Sequence, residues 1–198
     1  MYQFLTGPLA WLSFAIFLIG LIVRTVLYIR GFSWKFDRVA TKEQSPSGIK
    51  GVLSPIFLWL FPFIDRRWRN NVGFAILVLV FRIGLVVMPI FLLAHNIILK
   101  ERWGIRFWTL PETTADILTI AVIFSAVFLI LRCVALPGLR NITTVYDYVL
   151  LAILLAPLIT GFLAYHQVPT YRFWLIAHII CGEIMLIAIP FAKIWHVV

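Results

Sequence analysis

The chain has 198 residues, of which 63% are hydrophobic, 16% aromatic and only 13% charged. That balance excludes an ordinary soluble domain and indicates an integral membrane protein. The formal net charge of +9 is spread around long apolar runs, as expected of cytoplasmic loops under the positive-inside rule, and no basic soluble module is present to bind nucleic acid.

Five apolar segments, about 5–29, 72–99, 113–136, 145–166 and 172–196, reach the roughly 20 residues that a membrane helix needs. They predict an all-α five-helix bundle in which residues 1–198 form a single transmembrane domain. The first segment has no basic leading stretch, and no small-x-small cleavage site follows its apolar run. It is expected to be a retained helix rather than a signal peptide.

The connection at 31–71 is the only long one. It opens with the turn-rich "TKEQSPSGIKG", continues with "VLSPIFLWLFPFID", which Pro55 and Pro62 interrupt, and closes with "RRWR". Its apolar part is too short to span, so residues 52–64 are expected to lie in the interface, with aromatics beside arginines at headgroup depth. Basic residues cluster here (Arg24, Arg30, Lys35, Arg38, Lys42, Lys50, Arg66, Arg67 and Arg69), at Arg132 and Arg140, and at Lys193. The other two connections carry only Lys100, Arg102, Arg106 and Arg172. This asymmetry places the N-terminus outside and the C-terminus in the cytoplasm.

The residues able to carry chemistry are few. Cys133 and Cys181 have no metal-ligand spacing. The four histidines, His95, His166, His178 and His196, all fall in or at the ends of predicted spans. His178 and His196 are eighteen residues apart, which is five helical turns. On one continuous helix they would share a face, roughly 27 Å apart, close to the bilayer's hydrocarbon thickness of about 30 Å. A haem iron in a bundle takes imidazoles from facing helices at matching depth, and electron transfer across a bilayer calls for one such level near each surface.

In this last span His178, Gly182, Pro190, Phe191, Lys193 and His196 reproduce the pattern H-x3-G-x7-P-F-x-[KR]-x2-H. The chain here resembles the cytochrome b (gamma) subunit of respiratory nitrate reductases. "RNITTVYDYVLLAILLAPLITGF" is similar to that family's fourth helix and "FRIGL" to part of its second. The opening "MYQFLTGPLAWLSFAIFLIGLIVRTVLYIRG" is similar to the nitrate-reductase-gamma-like subunits of the high-molecular-mass cytochrome c complexes of sulfate-reducing bacteria. The resemblance covers most of the chain except the 31–71 connection.

The resemblance implies a bacterial inner-membrane location and two b haems, each held between the second and fifth helices. It also implies exchange with a quinone pool, menaquinone being a candidate, and three kinds of partner: other membrane subunits, a periplasmic multihaem cytochrome c, and a cytoplasmic iron–sulfur protein docked on the 31–71 connection. His178 and His196 match the family's fifth-helix ligands. In the second helix, Arg82 replaces the inner histidine and Leu92 stands at the outer position, with His95 one turn further on. One outer haem, its iron held by His95 and His178, is therefore expected, and Arg82 argues against an inner one.

Arg82 is costly in a membrane unless it faces a partner. Glu183, at similar depth, is expected to pair with it, either filling the space of a lost haem or forming a proton or quinone site. His166 is expected to be structural, with an outer haem or quinol contact as the alternative. Asp116 and Asp147 are read as acids favouring helix N-termini. The resulting expectation is an electron-transfer subunit of a multisubunit oxidoreductase, not an enzyme alone, against the alternative of a cofactor-free scaffold. A transporter would call for discontinuous helices in paired repeats, and none is legible.

Overall fold

The computed structural model describes residues 2–38 and 71–192. A short helical turn, Tyr2–Phe4, and a π-helical turn, Leu5–Leu9, lead into α1 (Ala10–Arg38). Then come α2 (Val72–Phe91), α3 (Leu93–Trp103), α4 (Glu112–Ala135), the single turn α5 (Pro137–Arg140), α6 (Val145–Tyr165) and α7 (Tyr171–Phe191). The stretches Leu5–Leu27, Val72–Phe91, Glu112–Ala135, Val145–Tyr165 and Tyr171–Phe191 are each long and apolar enough to cross a bilayer, making this a multi-pass membrane protein with five spans among the described residues. The expected interfacial segment 52–64 lies outside the described residues.

The spans do not pack in chain order. α7 lies between α1 and α6, α6 packs on α4, and α4 packs on α2. Val78 and Phe81 of α2, Val122, Ala126 and Leu129 of α4, and Leu150, Leu151 and Leu154 of α6 form a common core, closed at its inner end by Ala192. Outward-facing residues such as Ile19, Ile117 and Phe124 remain exposed, as expected where lipid rather than water is the solvent.

α2 and α4 approach closely where Gly84 meets Val122, since any Cβ at position 84 would run into the Val122 methyls. Gly84→Ala is expected to cost about 1–3 kcal/mol by overpacking, and Val122→Ala should restore part of that loss. Thermal unfolding in detergent measures both; purely additive effects would rule out this contact as the cause. Further in, the Arg132 guanidinium lies 3.5 Å from the centre of the Phe74 ring, holding the inner ends of α4 and α2 together.

Two spans differ from the sequence reading. The second, expected to be one helix over 72–99, breaks at Leu92, whose ψ of 137° is extended. Pro89 removes a backbone N–H in the last turn of α2. The carbonyls exposed by the break then find new donors. Asn96 Nδ2 donates to Ile90 O at 2.7 Å, and Leu110 N donates to Phe91 O at 3.0 Å. Gly104, at φ 68°, takes the left-handed conformation that ends α3.

The fifth span, expected to run to 196, ends at Phe191 because Ala192 is extended at ψ 137°. Pro190 sits in its last turn, and Arg24 Nη1 donates to Pro190 O at 2.7 Å and to Ala192 O. This guanidinium satisfies carbonyls that a continuing helix would have used. His178 and His196 therefore do not share one unbroken helix, and His196 and Lys193 lie outside the described residues.

Candidate functional site

The break at Leu92 sets the direction of α3. Below it α2 packs on α4, and beyond it α3 brings Trp103 edge-on to Trp11 and Phe14 of α1, with ring centres 5.6 and 5.3 Å away. Between these two anchorages, α3 carries His95 to His178 of α7. Their ring centres are 5.9 Å apart and their planes are inclined at 41°. An unbroken second span would have continued along the direction of α2, whose close neighbour is α4 rather than α7.

Asn96 holds this arrangement in place. Buried to 3% exposure, it donates to Ile90 O across the break, while its Oδ1 accepts from Phe107 N at 2.8 Å in the loop that follows α3. A single amide thus ties α2, α3 and the outer loop together beside His95. Sequence reasoning passed over Asn96. The available signal was an amide directly after a histidine in an apolar run, where an uncompensated polar group is expensive.

His178 is set from the other side by α6. Its Nδ1 lies 2.9 Å from Pro157 O. A carbonyl can only accept, so Nδ1 carries the hydrogen and Nε2 keeps its lone pair. One turn along α6, Gly161 provides the room: a Cβ there would lie 2.8 Å from His178 Cε1 and 2.9 Å from Nδ1. Pro157 and Gly161 form a seat for the ring, with one supplying the acceptor and the other the space. Opposite, His95 Nδ1 is buried without a hydrogen-bond partner of normal geometry among the described residues.

These features suit a metal held between two imidazoles. Two ring nitrogens each about 2 Å from one metal place their ring centres about 6 Å apart, close to the separation found here. A carbonyl bonded to the far nitrogen of a ligating histidine is the usual means of fixing its tautomer and orientation. Among the described residues no cluster of three or more His, Cys, Asp or Glu side chains could hold a bare metal ion.

The other predicted site residues lie elsewhere. His166 Nε2 is 3.3 Å from Asp116 Oδ1 at the partly exposed outer ends of α6 and α4, and its ring packs on Phe162. Asp116 therefore pairs with His166 instead of capping α4, which begins four residues earlier at Glu112. Asp147 does serve a helix start, accepting from Thr144 N at 2.8 Å as the acidic member of a capping box.

Arg82 and Glu183, expected to pair, stand on spans with different close neighbours. α2, which carries Arg82, packs on α4, whereas α7, which carries Glu183, packs on α6 and α1. Both carboxylate oxygens of Glu183 lack a hydrogen-bond partner among the described residues.

No family model matches the chain, and no solved structure matches it. The chain is 45% identical over all of its 198 residues to a protein of Nitratidesulfovibrio vulgaris strain Hildenborough, of which it covers 88%, and whose name states no activity. Identity at that level over that length shows common descent and a shared fold. The chain belongs to the same family as this Nitratidesulfovibrio vulgaris protein.

Proposed function

We propose that this chain is an electron-transfer subunit of a multisubunit membrane oxidoreductase, in which one b haem at its outer end would be held by His95 and His178. The observation that carries the reading is the approach of these two imidazoles from different spans, with His178 Nδ1 tied to Pro157. Bound there, a haem would supply a centre that gains and loses one electron at a time. The chain's own residues fix the two rings and exclude water with apolar spans.

The likeness of the last span to nitrate reductase gamma subunits, and of the opening to membrane subunits of the high-molecular-mass cytochrome c complexes, supports the same reading. A full-length relative in Nitratidesulfovibrio vulgaris, a sulfate reducer, accords with it. On this reading the partners are a periplasmic multihaem cytochrome c, the quinone pool and a cytoplasmic iron–sulfur protein.

A reduced-minus-oxidised spectrum of the complex purified from membranes, with haem quantified chemically, decides between this reading and a cofactor-free scaffold. One b haem per copy of this chain is the expected result, and a fully assembled complex without a b-type band supports the scaffold. Gly161→Ala gives a finer test. Its added methyl must push the His178 ring, so the b-type band should shrink or shift, whereas Gly182→Ala, whose methyl meets nothing within 4 Å, should leave it unchanged.

A further inference from the structure

The connection from α3 to α4 is held down onto the spans. Gly104 N closes the last turn of α3 on Lys100 O at 3.0 Å, Phe107 N donates to Asn96 Oδ1 at 2.8 Å, and Leu110 N donates to Phe91 O at 3.0 Å. Phe91 is the last residue of the second membrane-spanning stretch, so its depth marks the edge of the apolar layer. The rings of Phe107 and Trp108 pack edge-on against it, with centres 6.4 and 6.5 Å away. Tied back in this way, the connection lies along the membrane surface instead of projecting from it.

The side chains it presents are of two kinds. Ile105 is 47% exposed, Phe107 42% and Trp108 69%, and in water such groups forgo the burial that stabilises them. Lys100, Glu101, Arg102 and Arg106 are exposed in the same stretch, so that three cations stand with one acid between Lys100 and Trp108. The next acid along, Glu112, is engaged by the Tyr165 hydroxyl. On the outer side of a membrane these cations run against the positive-inside bias. A wholly apolar surface would suit lipid tails, and a wholly charged one would suit water. Rings at the edge of the apolar layer with cations beside them suit the headgroup layer, and the excess positive charge selects an anionic one.

We propose that the connection from Lys100 to Trp108 is a docking surface for anionic phospholipid headgroups of the outer leaflet, with Ile105, Phe107 and Trp108 entering the interface and Lys100, Arg102 and Arg106 donating to phosphate oxygens. The ligand is the lipid phosphodiester, and the surface stands independently of the haem. Asn96, which holds Phe107 N, is the residue next to His95, so lipid that fixes the connection also steadies the turn that carries His95.

Tryptophan fluorescence of the full-length chain tests this, in vesicles of equimolar phosphatidylcholine and phosphatidylglycerol in which one lipid at a time is brominated on its acyl chains near the headgroup. The Trp108 signal is the difference between the wild type and Trp108→Phe. Either brominated lipid should quench it, brominated phosphatidylglycerol the more strongly. Replacing Lys100, Arg102 and Arg106 together by Gln should abolish that excess and keep the quenching by brominated phosphatidylcholine. All three cations are exposed; should the triple change fail to insert, the wild-type comparison of the two lipids decides alone. Equal quenching by the two lipids in the wild type overturns the proposal, as does an excess that survives the triple change. A Trp108 signal that neither lipid quenches overturns it as well, and if aqueous acrylamide quenches that signal instead, the ring faces water and the surface is left for an acidic protein.

Discussion

Alanine at His178 is expected to remove the entire b-type absorption of the complex while leaving the subunit assembled. On the reading above this imidazole would hold the iron, and no other histidine among the described residues is placed to substitute. His95 is already across the site, and His166 is held by Asp116 at 3.3 Å. His95→Ala should have the same effect, since a single remaining imidazole leaves the iron without its second protein donor. His166→Ala should not alter the band. The expected pattern is two total losses and one null, read in a reduced-minus-oxidised spectrum with haem quantified chemically. His196→Ala is expected to be a second null, because α7 ends at Phe191 and Arg82 stands where the inner partner would be. A b-type signal surviving His178→Ala, or one lost with His196→Ala, would sink the assignment.

The spans were legible because bilayer thickness acts on composition alone. Apolar runs of sufficient length cross, and their order along the chain needs no knowledge of packing. For the same reason the breaks were not legible. Pro89 and Pro190 both sit inside apolar runs, and proline is tolerated in membrane helices whenever other groups satisfy the carbonyls it frees. Those other groups come from far along the chain. Arg24 reaches Pro190 O and Leu110 reaches Phe91 O, so no local window of sequence contains the answer.

The candidate site was legible by half for a related reason. Histidine is rare enough in a membrane span for His95 and His178 to stand out, and matching depth could be counted. The seat could not. Pro157 and Gly161 look like ordinary helix residues until His178 is seen resting on them. The expected Arg82–Glu183 pair rested on depth as the only coordinate available. Two residues at one depth can still face different neighbours, and here α4 and α6 separate the helices that carry them.

Asn96 carries the second large expected effect. Asn96→Leu keeps the number of side-chain heavy atoms, yet leaves Ile90 O and Phe107 N without the side-chain partners they now have at 2.7 and 2.8 Å. Each unsatisfied buried group costs about 1–3 kcal/mol, and the loss falls on the joint that directs α3. The helix can recover by closing the break and realigning with α2, or by letting α3 and its loop swing free; either movement draws His95 away from His178. The haem should therefore be bound weakly or through one imidazole, with less haem per subunit and an altered low-spin electron paramagnetic resonance signal in what remains. Asn96→Asp separates geometry from size: it keeps the acceptor for Phe107 N but loses the donor to Ile90 O and adds a charge, so it should also perturb the signal. A merely structural role would lower thermal stability and leave the resonance of the remaining haem as in the wild type. That outcome would show that Asn96 supports the outer loop without positioning His95.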